Sequence, residues 1–252
     1  MSSAPETQIT TNTITPTDSF MNTPEVSKQT TTTTTTRQFD LKILRDAFVN
    51  CVKPDHTLVL CEYVRAYEEL CTFVSSLGTI FEWATNDLSI KLNVLRELER
   101  LDPVNYYSIQ SMITYEIESG RIQTRDTPFF LPSGKPLPNG SRTLLRLHRA
   151  LAFISAFLTE MRTAPDDASS ASIAWTAYSA TMARFHLWPV RYTIHAALKL
   201  TLPSRQDLVD KLLRKRTAEE IDVFCNEIIQ SCNIIERTTQ ELFRTNHLTK
   251  LP

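Results

Sequence analysis

Glycine is scarce in this chain: Gly78, Gly120, Gly134 and Gly140 are the whole complement of 252 residues. No glycine-rich loop that cradles a nucleotide's phosphates can be assembled from residues so far apart, which removes the P-loop and dinucleotide-binding classes. An excess of either charge is missing too, with 27 Lys and Arg against 28 Asp and Glu. A general nucleic-acid binder carries a basic surplus, so nucleic acid is not an expected partner, although a local basic patch remains compatible. The five cysteines, Cys51, Cys61, Cys71, Cys225 and Cys232, contain no CxxC pair, and each falls within an apolar helical pattern. Buried thiols in a reducing compartment are expected, and no zinc site. No apolar run reaches eighteen residues, and no basic-then-apolar signal peptide opens the chain, so a soluble, cytosolic protein is expected. GxSxG, HExxH and kinase signatures are absent as well; no enzyme activity, metal or cofactor is expected.

What is present falls into two materials. Residues 1–38 are dominated by Thr, Ser, Pro and Asn, with an unbroken run from Thr30 to Thr36. Such a segment cannot bury enough apolar surface to offset its ordering entropy, so disorder is expected there. Residues 39–252 are expected to form one domain, and 42% of the whole chain is apolar, enough for a real core.

From Phe39 the apolar spacing is helical. Phe39 to Val49 predicts a first helix, stopped by Pro54. Leu60, Tyr63, Val64, Tyr67, Leu70, Cys71, Val74, Leu77 and Phe81 form one continuous stripe, with Gly78 inside it as a bend or a close approach. Asn86 or Thr85 is placed to cap a helix over 87–101, and a further one runs from 104 to 119 with Gly120 as its stop. Residues 121–140, rich in Pro, read as a long loop carrying Phe129 and Phe130. Ser141 to Arg162 reads as one long helix, followed by helices over 167–184, near 189–202, 204–213, and from Thr217 through Leu242. No strand pattern and no repeat emerges. The fold class is all-α, about eight helices in one domain.

Two helices carry the chemistry. The one opening at Ser141 is cationic in its first turns and apolar beyond, and Arg142 and Arg146, four apart, point to one side. Arg149, three past Arg146, shares part of that face and reads as structural or membrane-facing. An Arg-bearing helix face is ordinarily just solvated, so a second element must supply matching polar groups. Asp87 and Lys91, also four apart, do so. Alone they would be an exposed ion pair worth a few tenths of a kcal/mol. A position at a helix start, where a carboxylate is electrostatically comfortable, and the bulky apolar residues before it set Asp87 apart.

Four stretches together resemble the glycolipid transfer protein superfamily, closest to its ceramide-1-phosphate transfer branch. They are Ser76 to Phe81 with Asp87 to Leu92, Ser141 to Leu151, Phe185-His186-Leu187-Trp188, and Asn246 to Pro252. The resemblance spans about Leu58 to Pro252. It implies a two-layer all-α sandwich that encloses one lipid. It further implies a head-group site in which Asp87 accepts from the sphingolipid amide and hydroxyl and His186 donates to the amide carbonyl. Lys91, Arg142 and Arg146 would hold a phosphate. Glycolipid-binding members are similar but carry Asn where Lys91 stands and Trp where Arg142 stands. One carboxylate, one imidazole and three cations match the groups of a ceramide phosphate. Phe48, Val74, Leu77, Phe81, Ile113, Leu145, Phe153, Phe157 and Leu198 are candidates to line its tails. Leu187 departs from the Pro usual in the family, with Pro189 two residues later, and the 121–140 loop is long. The expected function is non-vesicular transfer of ceramide 1-phosphate by a cytosolic monomer that docks transiently on membranes, Trp188, Phe129 and Phe130 being candidates to touch them, with buried packing the other reading of Trp188. A sphingolipid sensor or adaptor, a glycolipid transfer protein and a lipid-metabolising enzyme are the other classes left open.

Overall fold

A computed structural model of the chain describes residues 38–78, 81–123, 130, 134–165, 167–213 and 216–251. The 1–38 segment expected to be disordered lies outside them but for Gln38, and so does Phe129.

Among the described residues the chain forms nine α-helices and no strand. They are α1 (Leu41–Cys51), α2 (Leu60–Ser75), α3 (Glu82–Leu101), α4 (Ile109–Glu118), α5 (Gly140–Thr163), α6 (Ser170–Thr181), α7 (Trp188–Thr201), α8 (Arg205–Leu213) and α9 (Ala218–Thr245). A 3-10 turn, Ala183–Phe185, links α6 to α7. Helix α1 packs on α2, α2 on α3, α3 on α5, α5 on α9, and α9 returns to α1, so these five close a ring. Phe48, Tyr63, Tyr67, Leu95, Leu98, Ile235 and Phe243 fill the ring and are fully buried. Outside it, α6 lies on α5, and α7 on α6.

The termini differ from the sequence reading in instructive ways. The apolar stripe runs on to Phe81, yet α2 stops at Ser75, because Gly78 takes φ +132, a conformation that L side chains rarely adopt. Gly78 therefore turns the chain instead of bending a helix. Helix α3 starts at Glu82, earlier than the expected 87, and Thr85 returns its hydroxyl to the Glu82 carbonyl at 3.1 Å from within the helix. Asp87 thus sits past the first turn, beyond the unpaired N–H groups that would have favoured it at the start. Helix α4 begins at Ile109, not 104: Ser108 and Ser111 form a capping box, and the Asp102 carboxylate, accepting from Asn105, holds 102–105 in a turn. Helix α6 starts at Ser170, capped by Ser169, and ends at Thr181. Four cysteines are buried as expected; Cys61 is exposed. It lies off the stripe of Leu60, Val64 and Tyr67, on the side of α2 shared with the exposed Arg65.

Candidate functional site

The site is built on the start of α5. Asn139 caps this helix, its Oδ1 accepting from Arg142 N at 2.9 Å, so that the helix opens at Gly140, one residue before the expected Ser141. Two further N–H groups of the first turn are taken by Glu116, in the last turn of α4. Its carboxylate accepts from Gly140 N at 2.6 Å and Ser141 N at 2.8 Å, and from the Tyr106 hydroxyl at 3.0 Å. Glu116 is fully buried, and Arg121 donates to Tyr106 at 2.8 Å. The approach needs a glycine: a Cβ at Gly140 would overlap Met112 Sδ. Because a carboxylate already occupies this helix start, its first N–H groups are not open to an anion.

One side of α5 forms a cleft of about 380 Å³ with α3 and the turn after α6. Asp87, Leu88 and Lys91 come from α3, Arg146, Arg149 and Ala150 from α5, and Met182, Phe185 and His186 from the turn. Asp87 and Lys91 form an ion pair; the carboxylate side is 64% exposed, whereas the lysine side chain, at 14%, lies along the protein. Arg149 lies over the Phe185 ring at 4.3 Å, and Arg184 approaches the same ring at 4.8 Å. Burial, then the nearby Arg146 and Arg184, push the Arg149 guanidinium below its usual value. Three cations and one carboxylate thus line the cleft, a surplus of positive charge that an anion would relieve.

His186 is held from behind. Its Nδ1 lies 2.7 Å from the Tyr178 hydroxyl, and Arg191 Nε donates to its backbone carbonyl at 2.7 Å. Burial, with Arg191 second, lowers its pKa from the usual histidine value, so the ring is neutral at pH 7.

Of the five residues singled out in the sequence, Asp87, Lys91, Arg146 and His186 line this cleft together. Arg142 does not: one turn nearer the helix start, its guanidinium donates to the Ile122 carbonyl at 3.0 Å. Arg149, read from sequence as structural or membrane-facing, is on the cleft wall. The signal that finds it is its spacing, since residues three and four apart share a helix face equally. For Glu116 the signal is a carboxylate on the apolar face of α4, four residues after Met112.

The described residues also form a second apolar cluster. Met161, Ile173 and Leu208 are buried, and Phe73, Leu77, Phe157 and Leu202 pack half-buried around them. Phe153 stacks on Phe157 with ring centroids 6.0 Å apart. Of the candidate tail-lining residues, Leu77 and Phe157 belong here, whereas Phe48, Ile113 and Leu145 are in the main core. Trp188 is 78% exposed, beside an exposed Leu187 and Tyr192, and Phe130 is exposed as well. Among the described residues no helix is long and apolar enough to cross a membrane, and no cluster of His, Cys, Asp or Glu could hold a metal.

Residues 58–214 match the family model described as glycolipid transfer protein. The chain belongs to the glycolipid transfer protein family. Ceramide-1-phosphate transfer protein of Rattus norvegicus is 31% identical over 219 residues, 86% of this chain and 98% of its own. Human ceramide-1-phosphate transfer protein, solved in complex with 2:0 ceramide-1-phosphate, superposes with a TM-score of 0.73 at 29% identity, covering 86% of this chain and all of that one. The mouse apo-form gives a TM-score of 0.74 at 30% identity over 85% of this chain and all of its own. The all-α glycolipid transfer protein fold expected from the sequence motifs is therefore the observed one. Against the family pattern, Leu187 is the extended residue before α7, with ψ 155, and Pro189 stands in the first turn of that helix, where its missing N–H leaves no bond unmade.

Proposed function

We propose that this member of the glycolipid transfer protein family is a non-vesicular carrier of ceramide 1-phosphate. The observation that carries the reading is the cleft in which Lys91, Arg146 and Arg149 face one carboxylate, Asp87, and one neutral imidazole, His186. A phosphate monoester of about −1.5 to −2 charge complements that surplus, and arginine can grip its oxygens in a two-pronged way. Asp87 receives the sphingoid amide N–H and hydroxyl; His186 donates to the amide carbonyl. Arg142, one turn along α5, adds positive charge near the phosphate side while its guanidinium is held by the Ile122 carbonyl. The binding of ceramide 1-phosphate by the human relative supports the same ligand here.

The tails need a dry sleeve. At ~0.8 kcal/mol per CH₂, leaving a chain of about 16 carbons in water costs on the order of 13 kcal/mol, most of which a carrier must offset by enclosing it. The half-buried aromatic and aliphatic side chains around Met161, Ile173 and Leu208 are placed to part and receive it. Exposed Leu187, Trp188 and Tyr192 beside the cleft provide the transient contact with a membrane. The protein works as a cytosolic monomer without covalent chemistry or metal. Arg146→Leu tests the phosphate assignment: transfer of ceramide 1-phosphate between vesicles should fall at least tenfold with helicity unchanged, and undiminished transfer would remove Arg146 from the site.

A further inference from the structure

The contact behind His186 sets which group that residue can recognise. Its Nδ1 lies 2.7 Å from the Tyr178 hydroxyl, and the two rings stack with 18° between their planes. Tyr178 is buried, and its hydroxyl has no other hydrogen-bond partner among the described residues. Were the hydroxyl oxygen to accept from an Nδ1–H, its own proton would be left unpaired, which costs about 1–3 kcal/mol in a buried group. Donation from Tyr178 to Nδ1 satisfies both partners. A neutral imidazole that accepts at Nδ1 carries its proton at Nε2. Nε2 has no hydrogen-bond partner among the described residues, and His186 lines the cleft.

We propose that Tyr178 is a positioning residue that holds His186 as an Nε2–H donor facing the cleft, so that the group His186 selects is a carbonyl oxygen, the amide carbonyl of a sphingolipid. The opposite tautomer would present a lone pair and select an N–H or O–H instead. Selection by charge and selection by amide are then separate devices: the cations of α3 and α5 read the phosphate, and the Tyr178–His186 pair reads the lipid backbone common to phosphorylated and unphosphorylated ceramides. The ligand half of this proposal rests on the sphingolipid reading above; the tautomer half does not.

The test uses the full chain labelled with 15N-histidine and long-range 1H–15N spectra at pH 7.5. In the wild type His186 should show a protonated Nε2 and an unprotonated Nδ1, and in Tyr178→Phe the two shifts should move toward each other as the tautomers mix. Tyr178→Phe should weaken binding of short-chain ceramide 1-phosphate and of short-chain ceramide by the same factor, about tenfold, whereas Arg146→Leu should weaken only the phosphorylated lipid. A wild-type spectrum with the proton on Nδ1 overturns the proposal by itself, even should the variant not fold. So does a Tyr178→Phe protein with unchanged tautomers, or one with mixed tautomers that binds both lipids as well as the wild type. A wild type that binds neither lipid but shows the Nε2–H form defeats the sphingolipid reading while the tautomer assignment stands.

Discussion

Arg149 and Arg142 show how finely a helix face has to be read. Both share the face of Arg146 by spacing, yet Arg149 borders the cleft and Arg142 is held by the Ile122 carbonyl. Which neighbour captures a long side chain depends on the loop packed against that turn, and periodicity does not encode it. Asp87, Lys91 and Arg146 were legible because each needs only its own helix and the family motif to find its place. Arg149→Leu should raise the dissociation constant for ceramide 1-phosphate by about tenfold, the loss of one charge-assisted contact, and leave binding of unphosphorylated ceramide unchanged. Titration calorimetry of both lipids in detergent-free vesicles measures it, and an equal loss for both would make Arg149 a structural residue only.

A second histidine, His148, links the residue scale to stability. It is buried between α5 and α9, with Nε2 2.9 Å from Gln240 Oε1 and 3.8 Å from Glu236, and Arg149 is its neighbour on α5. Desolvation outweighs the help of Gln240 and Glu236, and its pKa is lowered. The unfolded chain then binds a proton at pH values where the folded one does not. The stability this residue contributes is therefore complete above the unfolded value of about 6.5 and is lost as pH falls below it. His186, shifted the same way, adds to the loss. Urea midpoints at pH 7.5 and 5.5 should show a drop in the wild type that shrinks, without vanishing, in His148→Gln; an identical drop in both would show that His148 does not titrate with unfolding.

At the scale of elements, most helices were visible in the spacing of apolar residues, and the ends were not. The stripe through Leu77 and Phe81 looks continuous because hydrophobic side chains recur at the right interval, but Gly78 at positive φ stops α2. The reverse occurs at α3, where the obvious capping residues Thr85 and Asn86 are swallowed by a helix that starts at Glu82. The start of α5 is fixed by a partner far away in sequence, the buried carboxylate of Glu116, and local capping patterns are blind to that. Glu116→Gln should lower the stability of the fold by about 1–3 kcal/mol, since an amide cannot accept from all three donors that the carboxylate serves. Urea unfolding followed by circular dichroism gives the figure, and a change below about 0.5 kcal/mol, the scatter expected of ordinary surface positions, would mean that α5 does not depend on this cap.

At the scale of the whole molecule, near-zero net charge hid a local surplus. Balanced totals of Lys, Arg, Asp and Glu argue against a general nucleic-acid binder, while one cleft still gathers three cations around a single carboxylate. Family and fold were readable because several motifs recur in order along most of the chain; the exposure of Trp188 was not, because an aromatic residue beside a proline packs inward or outward according to tertiary contacts. The central claim is that this cleft, together with the second apolar cluster, selects a phosphorylated sphingolipid. Native mass spectrometry after incubation with vesicles holding equal amounts of ceramide 1-phosphate, ceramide and glucosylceramide tests it most directly. The account predicts one bound lipid per chain with the mass of ceramide 1-phosphate; a bound glucosylceramide, or equal occupancy by all three, would contradict it.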